Sequence, residues 1–75
     1  MLLLTQTGTD AVIKFLSATV QDFEDQSQAD WISHAEAVAE MSEDWETLIL
    51  EVRTIESLSG RPETLTMPRA WFFKI

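Results

Sequence analysis

The sequence lacks cysteine and contains only two glycines, two prolines and one histidine. Without cysteine it can form neither disulfides nor thiolate metal sites, and the reducing cytosol is the preferred compartment. Gly8 and Gly60 cannot build a phosphate-binding loop, so no nucleotide cofactor is expected. The amino-terminal run MLLL is too short for a secretion signal or a membrane span. We therefore expect a cytoplasmic protein without a cofactor.

Catalytic patterns are also missing. His34 is the one neutral side-chain base, and its neighbour Ser33 would point about 100° away from it on a helix, so the two cannot form a catalytic pair. The sequence has no Glu-x-x-His pair, and the acidic residues at 22–25 lack the glycine and distal glutamate of a calcium loop. The sequence predicts neither an enzyme nor a metal site. A metal-dependent enzyme using His34 with Glu36 or Glu40 is a third hypothesis, behind the two developed below.

Basic residues are absent from a long central stretch. No lysine or arginine occurs between Lys14 and Arg53, whereas ten carboxylates fall there and the net charge of the chain is −8. From Arg53 to Ile75 the balance reverses, with four basic residues against two acidic ones. Such a field repels DNA, RNA and anionic membranes and attracts basic surfaces. Direct binding to nucleic acid or to a membrane is therefore not expected.

The most clearly patterned element is a helix over about residues 28–42. Ser27 is the predicted N-cap, with Asp30 three residues further on. Apolar residues recur along this segment at spacings of three and four, which is typical of a helix lying on a core. They are Trp31, Ile32, Ala35, Val38, Ala39 and, at the end, Met41.

Strands are predicted on both sides of this helix. The segment 46–55 alternates, with Leu48, Leu50 and Val52 on one side, and favours a strand over a helix. Residues 57–63 (SLSGRPE) form the predicted loop, and AWFFKI after the turn-like TMPRA is predicted to be the terminal strand, with Pro68 just ahead of it.

The segment 10–23 is ambiguous. Its apolar spacing slightly favours a helix, but LLLTQT ahead of it resembles a strand that needs a partner, with GTD as a hairpin loop. We interpret it as the second strand of a hairpin and keep a second helix as the alternative. The predicted fold is a small single α+β domain in which an antiparallel sheet of three to four strands packs against one main helix. A second copy of the chain would help to stabilise so small a core, so a homodimer is one expected form.

The acidic stretch is the candidate site. Ordinary helix surfaces mix charges of both signs, and one that excludes basic residues incurs self-repulsion, which indicates a binding face for a basic partner. Trp45, within SEDWE, is the candidate aromatic anchor, although most tryptophans in so short a chain belong to the core. The predicted partner-binding residues are Asp22, Glu24, Asp25, Glu36, Glu40, Glu43, Asp44, Trp45 and Glu46.

Carboxylates one helical turn apart, as at Glu36 and Glu40, can imitate a row of phosphates. In size, charge and absence of catalytic motifs, the chain resembles the short acidic inhibitors that phages make against host defence, including anti-CRISPR proteins and other DNA mimics. This resemblance implies an inhibitor acting in the host cytoplasm as a nucleic-acid decoy on a basic, nucleic-acid-binding protein. The alternative is a self-assembling structural or accessory subunit held by its aromatic carboxyl-terminal strand.

Overall fold

The computed structural model describes residues 1–41, 44–55 and 57–75, with Asp25 and Gln26 described by their backbone alone. Its elements follow in chain order: strand β1 (Leu2–Leu4), helix α1 (Gln6–Thr19), helix α2 (Asp25–Glu40), strand β2 (Thr47–Val52), strand β3 (Glu63–Pro68), a 3-10 turn (Arg69–Trp71) and strand β4 (Phe72–Lys74). Strand β1 pairs antiparallel with β4, and β2 pairs antiparallel with β3. The α+β class is therefore confirmed.

Helix α1 corrects the predicted hairpin. Residues of the supposed loop and second strand are helical, and Gly8, Val12 and Leu16, spaced by four, form the buried face. Thr5 starts the helix, because its hydroxyl accepts a hydrogen bond from the Gly8 N–H at 3.1 Å. The same hydroxyl donates to the Trp71 carbonyl oxygen at 3.1 Å, which ties the start of the helix to the 3-10 turn. The helical period was the correct pattern, and β1 finds its partner at the other end of the chain.

Gly8 is needed for close packing rather than for a turn. A Cβ at this position would lie 2.7 Å from Leu4 Cδ2 and 2.7 Å from the Trp71 carbonyl oxygen. The first turn of α1 can therefore approach β1 and the 3-10 turn only because no side chain intervenes.

Helix α2 begins earlier than predicted. Its N-cap is Glu24, which makes no capping hydrogen bond with its side chain, and the predicted N-cap Ser27 lies inside the first turn, where its N–H donates to the Glu24 carbonyl oxygen at 2.9 Å. Ala35 and Ala39 are fully buried, as predicted, and Trp31 and Ile32 pack half-buried against the core. Met41 is 84% exposed and does not extend the buried stripe.

Strand β2 is confirmed with Leu48, Leu50 and Val52 on its inner side, where the latter two are buried and Leu48 is half-buried. The turn predicted at TMPRA is partly wrong, since Thr66, Met67 and Pro68 end strand β3. The terminal strand is shorter than predicted, because Ala70 and Trp71 belong to the 3-10 turn.

The four strands do not form the single sheet that was expected, but two sheets of two strands. They meet the helices in one apolar cluster, whose buried members are Leu2, Leu4, Val12, Leu16, Val20, Ala35, Ala39, Leu50, Val52, Met67 and Phe72. Strand β1 does not gain a second partner strand, because glutamates of α2 occupy its other edge, as described next.

Candidate protein-binding surface

Two of the predicted site residues hold the free edge of strand β1. The N–H groups of Leu2 and Leu4 point away from β4, because Met1, Leu3 and Thr5 are the residues that bond to β4 and to Trp71 and Ile75 at its two ends. The Leu4 N–H donates to Glu36 Oε2 at 3.0 Å, and the Leu2 N–H donates to Glu40 Oε1. These side chains therefore occupy the positions that carbonyl oxygens of another strand would otherwise fill.

The spacing of the two elements explains this contact. Four residues of a helix rise about 6.0 Å along its axis, and two residues of a strand span about 6.6 to 6.8 Å. Glutamates four apart on α2 therefore align with strand N–H groups two apart on β1. A helix with such a pair can cap a sheet edge and keep it from pairing with another chain. The four-residue spacing of Glu36 and Glu40, which suggested a row of phosphates, thus also stabilises the edge of β1.

Glu40 carries the clearest electrostatic effect. The hydrogen bond from the Leu2 N–H has the largest effect and lowers the pKa of Glu40 below its usual value of 4.5. Desolvation opposes this shift, and the positive charges of the Met1 amino group and Lys74 add to it. The Met1 nitrogen lies 3.3 Å from Glu40 Oε1. Glu40 is therefore ionised through the whole neutral range.

A shallow groove runs beside this contact. It has a volume of about 340 Å³ and lies between β1 and α2, with Leu3 and Ala37 among its apolar lining and Glu36 and Glu40 among its polar lining. Each carboxylate accepts a hydrogen bond from β1 with one of its two oxygens. The other oxygens, Glu36 Oε1 and Glu40 Oε2, make no hydrogen bond with the part of the chain that the structure describes. The groove combines an apolar surface with two negative charges.

A second group of predicted residues lies at the turn between the helices. Asp22 and Glu24 are exposed, and Asp22 has a φ of 57°, in the left-handed region that aspartate tolerates better than most residues. Both line a pocket of about 350 Å³ together with Trp31 and Thr54, whose buried Oγ1 lacks a hydrogen-bond partner within residues 1–41, 44–55 and 57–75. Asp22 thus has a conformational reason to be present besides its charge.

The third group precedes β2. Asp44 and Glu46 are exposed, but Trp45 between them is half-buried and packs against the core. Its Nε1–H donates to the Ala39 carbonyl oxygen at 3.1 Å, and its ring meets the Phe72 ring edge-on at 5.2 Å. The Arg69 guanidinium lies 5.0 Å from the Trp45 ring centroid. Trp45 is therefore half-buried by these packing contacts, and its predicted role as an anchor for a partner stays a prediction.

The exposed face of α2 differs from the expected acidic row. Ala29, Ser33 and Ala37, four residues apart, are exposed along it, and Glu36 lies at its boundary with β1. His34 is exposed and meets the Trp31 ring edge-on at 5.8 Å. The negative charge consequently lies at the flank and the two ends of α2. The middle of its outer face carries small side chains and almost no charge.

One contributing residue was missed. Asp30 is exposed on α2, and from its position in the sequence we predicted only a capping role for it. The side chain of Asp25 and all of Glu43 lie outside the described residues, so their predicted part in the site stays a prediction. Within the described chain, no ion pair involves the exposed carboxylates Asp22, Glu24, Asp30, Asp44 and Glu46.

The described residues contain no group of three or more side chains that could hold a metal ion. Among the helices described, none combines the length and apolar character needed to cross a membrane. No protein-family model, curated protein or solved structure matches the chain.

Proposed function

We propose that this protein is a non-enzymatic binding module that docks on the basic surface of a nucleic-acid-binding protein and acts there as an inhibitory decoy. The observation that supports it is the set of five exposed carboxylates, Asp22, Glu24, Asp30, Asp44 and Glu46, which no ion pair neutralises within the described part of the chain. Glu36 and Glu40 add two further charges beside them.

The exposed carboxylates repel one another, and a basic partner would remove this repulsion. Unpaired like charges on a small domain destabilise it slightly, and the sequence from Phe15 to Val52 contains no lysine or arginine that could pair with them along the helix. A surface that normally binds phosphates has the densest positive charge, so it would gain most from these carboxylates.

The groove between β1 and α2 is the proposed entry point for one basic side chain. Lysine and arginine bury their aliphatic stems against apolar surface and keep the charged head near polar groups. In this groove Leu3 and Ala37 would contact the stem, and Glu36 Oε1 and Glu40 Oε2 would accept hydrogen bonds from the head. The glutamates would then hold β1 with one oxygen and the partner with the other.

Capture from a cell extract, followed by competition, tests this function. The immobilised protein is exposed to extract at low salt, and the retained proteins are eluted with rising salt and identified. Each is then titrated with the protein in the presence of duplex DNA or RNA. The proposal predicts a nucleic-acid-binding protein whose affinity falls steeply with salt and from which nucleic acid displaces our protein. A retained protein that binds nucleic acid and this chain at the same time would contradict it.

The alternative, a subunit that assembles through its aromatic terminal strand, receives less support. Leu3 of the same chain already pairs with Phe73, and the Phe72 N–H donates to the Arg69 carbonyl oxygen. One edge of β4 is thus occupied by β1. The other edge offers few backbone groups to a second chain, because β4 has only three residues and one of its outward N–H groups is already bonded.

A further inference from the structure

Strand β2 has an edge that the described chain leaves unpaired. The Arg69 N–H donates to the Glu46 carbonyl oxygen at 2.9 Å, and bonded and non-bonded pairs alternate along an antiparallel ladder. The bonds to β3 therefore come from Leu48, Leu50 and Val52. The backbone groups of Thr47, Ile49 and Glu51 point to the opposite edge, where they make no hydrogen bond with the described residues.

This edge lacks the usual protection against pairing with another chain. Strand β2 reads TLILEV, without proline or lysine, and Thr47, Ile49 and Val52 have high β-propensity. Ile49, at its centre, is 60% exposed on the outer face. Strand β1 differs in this respect, because its N–H groups that point away from β4 donate hydrogen bonds to Glu36 and Glu40.

We propose that two copies of this chain pair along β2, antiparallel and about a two-fold axis at Ile49, to form a continuous four-stranded sheet. The register follows from the outward-pointing groups. Ile49 exchanges two hydrogen bonds with Ile49 of the second copy, and Thr47 pairs with Glu51 on either side, which gives about six backbone bonds in all. This inference does not depend on the proposed function.

The side chains suit this register. The two Ile49 side chains meet directly across the axis on the same face, where each covers apolar surface that is exposed in one copy. The two Glu51 carboxylates face threonines and not each other, and each also accepts a hydrogen bond from Arg53 of its own chain. Pairing through β2 therefore brings no like charges together at the ladder.

Strand β3 is the poorer edge. It ends at Pro68, which has no N–H to donate to a further strand. Its outer face presents Thr64 and Thr66 without a large apolar side chain.

Net charge sets the salt dependence. Two copies of charge −8 repel each other, so added salt should strengthen the dimer by screening. Binding of a basic partner should weaken with salt. The two associations are thus distinguishable, and the failure of one leaves the other intact.

Because the chain has no cysteine, a single introduced cysteine can form a disulfide only with the same residue of a second copy. Paired residues that exchange hydrogen bonds have Cα atoms about 5.5 Å apart, within the range that a disulfide spans. Under mild oxidation Ile49→Cys should form a covalent dimer at least about tenfold faster than the control Thr66→Cys, which lies opposite Ile49 on β3 of the same chain. Equal rates, or faster crosslinking through Thr66→Cys, would overturn the proposed register.

Charge complementation provides the second measurement. Sedimentation of the full chain over a range of concentrations should show a dimer that strengthens with salt. Ile49→Lys and Ile49→Glu should each weaken it about tenfold, because like charges then meet at the axis, and an equimolar mixture of the two should restore it. A wild-type chain that stays monomeric at high concentration and high salt, or a mixture that stays monomeric while circular dichroism shows both variants folded, would refute the proposal.

Discussion

The backbone N–H of Leu4 donates a hydrogen bond of 3.0 Å to Glu36 Oε2, so a carboxylate from the acidic stretch closes an edge of the sheet. Replacing Glu36 by alanine leaves this N–H without its acceptor, and we expect the free energy of unfolding to fall by about 1 to 2 kcal/mol. Glu36→Gln keeps an accepting oxygen and should cost less than half as much. Chemical denaturation measures both.

Asp30→Ala is the matched control, since it removes one carboxylate from the exposed surface of the same helix. It should change stability by less than about 0.5 kcal/mol. If Glu36→Ala and Asp30→Ala had equal effects, Glu36 would have no structural role at the β1 edge.

The lowered pKa of Glu40 predicts how stability depends on pH. Because the pKa of Glu40 is lower in the folded chain than in the unfolded chain, the unfolded state binds its proton first as pH falls. The contribution of Glu40 is therefore fully present above about pH 4.5 and is lost as pH falls through the folded pKa.

Glu40→Gln should flatten the stability curve below that pH, and thermal unfolding as a function of pH measures this. Ser33→Ala, at an exposed position on the same helix that does not titrate, serves as the control and should leave the slope unchanged. A slope in Glu40→Gln identical to that of the wild type would exclude the proposed interaction with the Leu2 N–H and the neighbouring positive charges.

Gly8→Ala should destabilise the protein although alanine favours helices. The new methyl group would lie 2.7 Å from the Trp71 carbonyl oxygen, which cannot move without shifting the backbone. Overpacking of this kind costs about 1 to 3 kcal/mol and outweighs the gain in helix propensity of about 1 kcal/mol. Thr7→Ala, exposed in the same helix, should not destabilise it, and the two melting temperatures give the comparison.

Sequence patterns predicted the α+β class, helix α2 and strand β2, because each of these has a clear period and one buried face. At α1 the apolar spacing favoured a helix, which we kept as the alternative, but a strand-like start and a glycine led to the wrong choice of a hairpin. The glycine in fact serves packing against Trp71, which is 63 residues away in sequence and which no local pattern reveals.

The negative charge of the candidate site could be predicted from the sequence, but the hydrogen bonds that its carboxylates make could not. Glu36 and Glu40 were correctly placed on one flank of α2, but their bonds to β1 depend on how helix and strand lie together in three dimensions. The packing of Trp45 could not be predicted for the same reason, since its packing partners Phe72 and Arg69 come from the other end of the chain.

Asp22 allows its charge and its conformation to be separated. At a φ of 57°, asparagine and glycine are tolerated but alanine is strained by about 1 kcal/mol. Asp22→Asn and Asp22→Gly should therefore keep stability within about 0.5 kcal/mol, and Asp22→Ala should lower it by about 1 kcal/mol. Equal stability of the alanine and asparagine variants in denaturation would contradict the conformational role.

Binding should follow charge alone at this position. All three Asp22 variants remove the same carboxylate, so they should slow association with the basic partner equally, whatever their stabilities. This pattern separates a surface effect on binding from an indirect effect of unfolding.

The association rate with the captured basic partner, measured at low salt, tests the central claim most directly. One variant pair neutralises the turn (Asp22→Asn with Glu24→Gln), another neutralises the approach to β2 (Asp44→Asn with Glu46→Gln), and the control pair is Asp10→Asn with Glu63→Gln. Every pair changes the net charge equally and leaves the bonds to β1 intact. We predict that each site pair slows association about threefold, that both together slow it about tenfold, and that the control pair changes it less than twofold. Equal slowing by the control and the site pairs, or no slowing by either, would contradict a dedicated acidic docking surface.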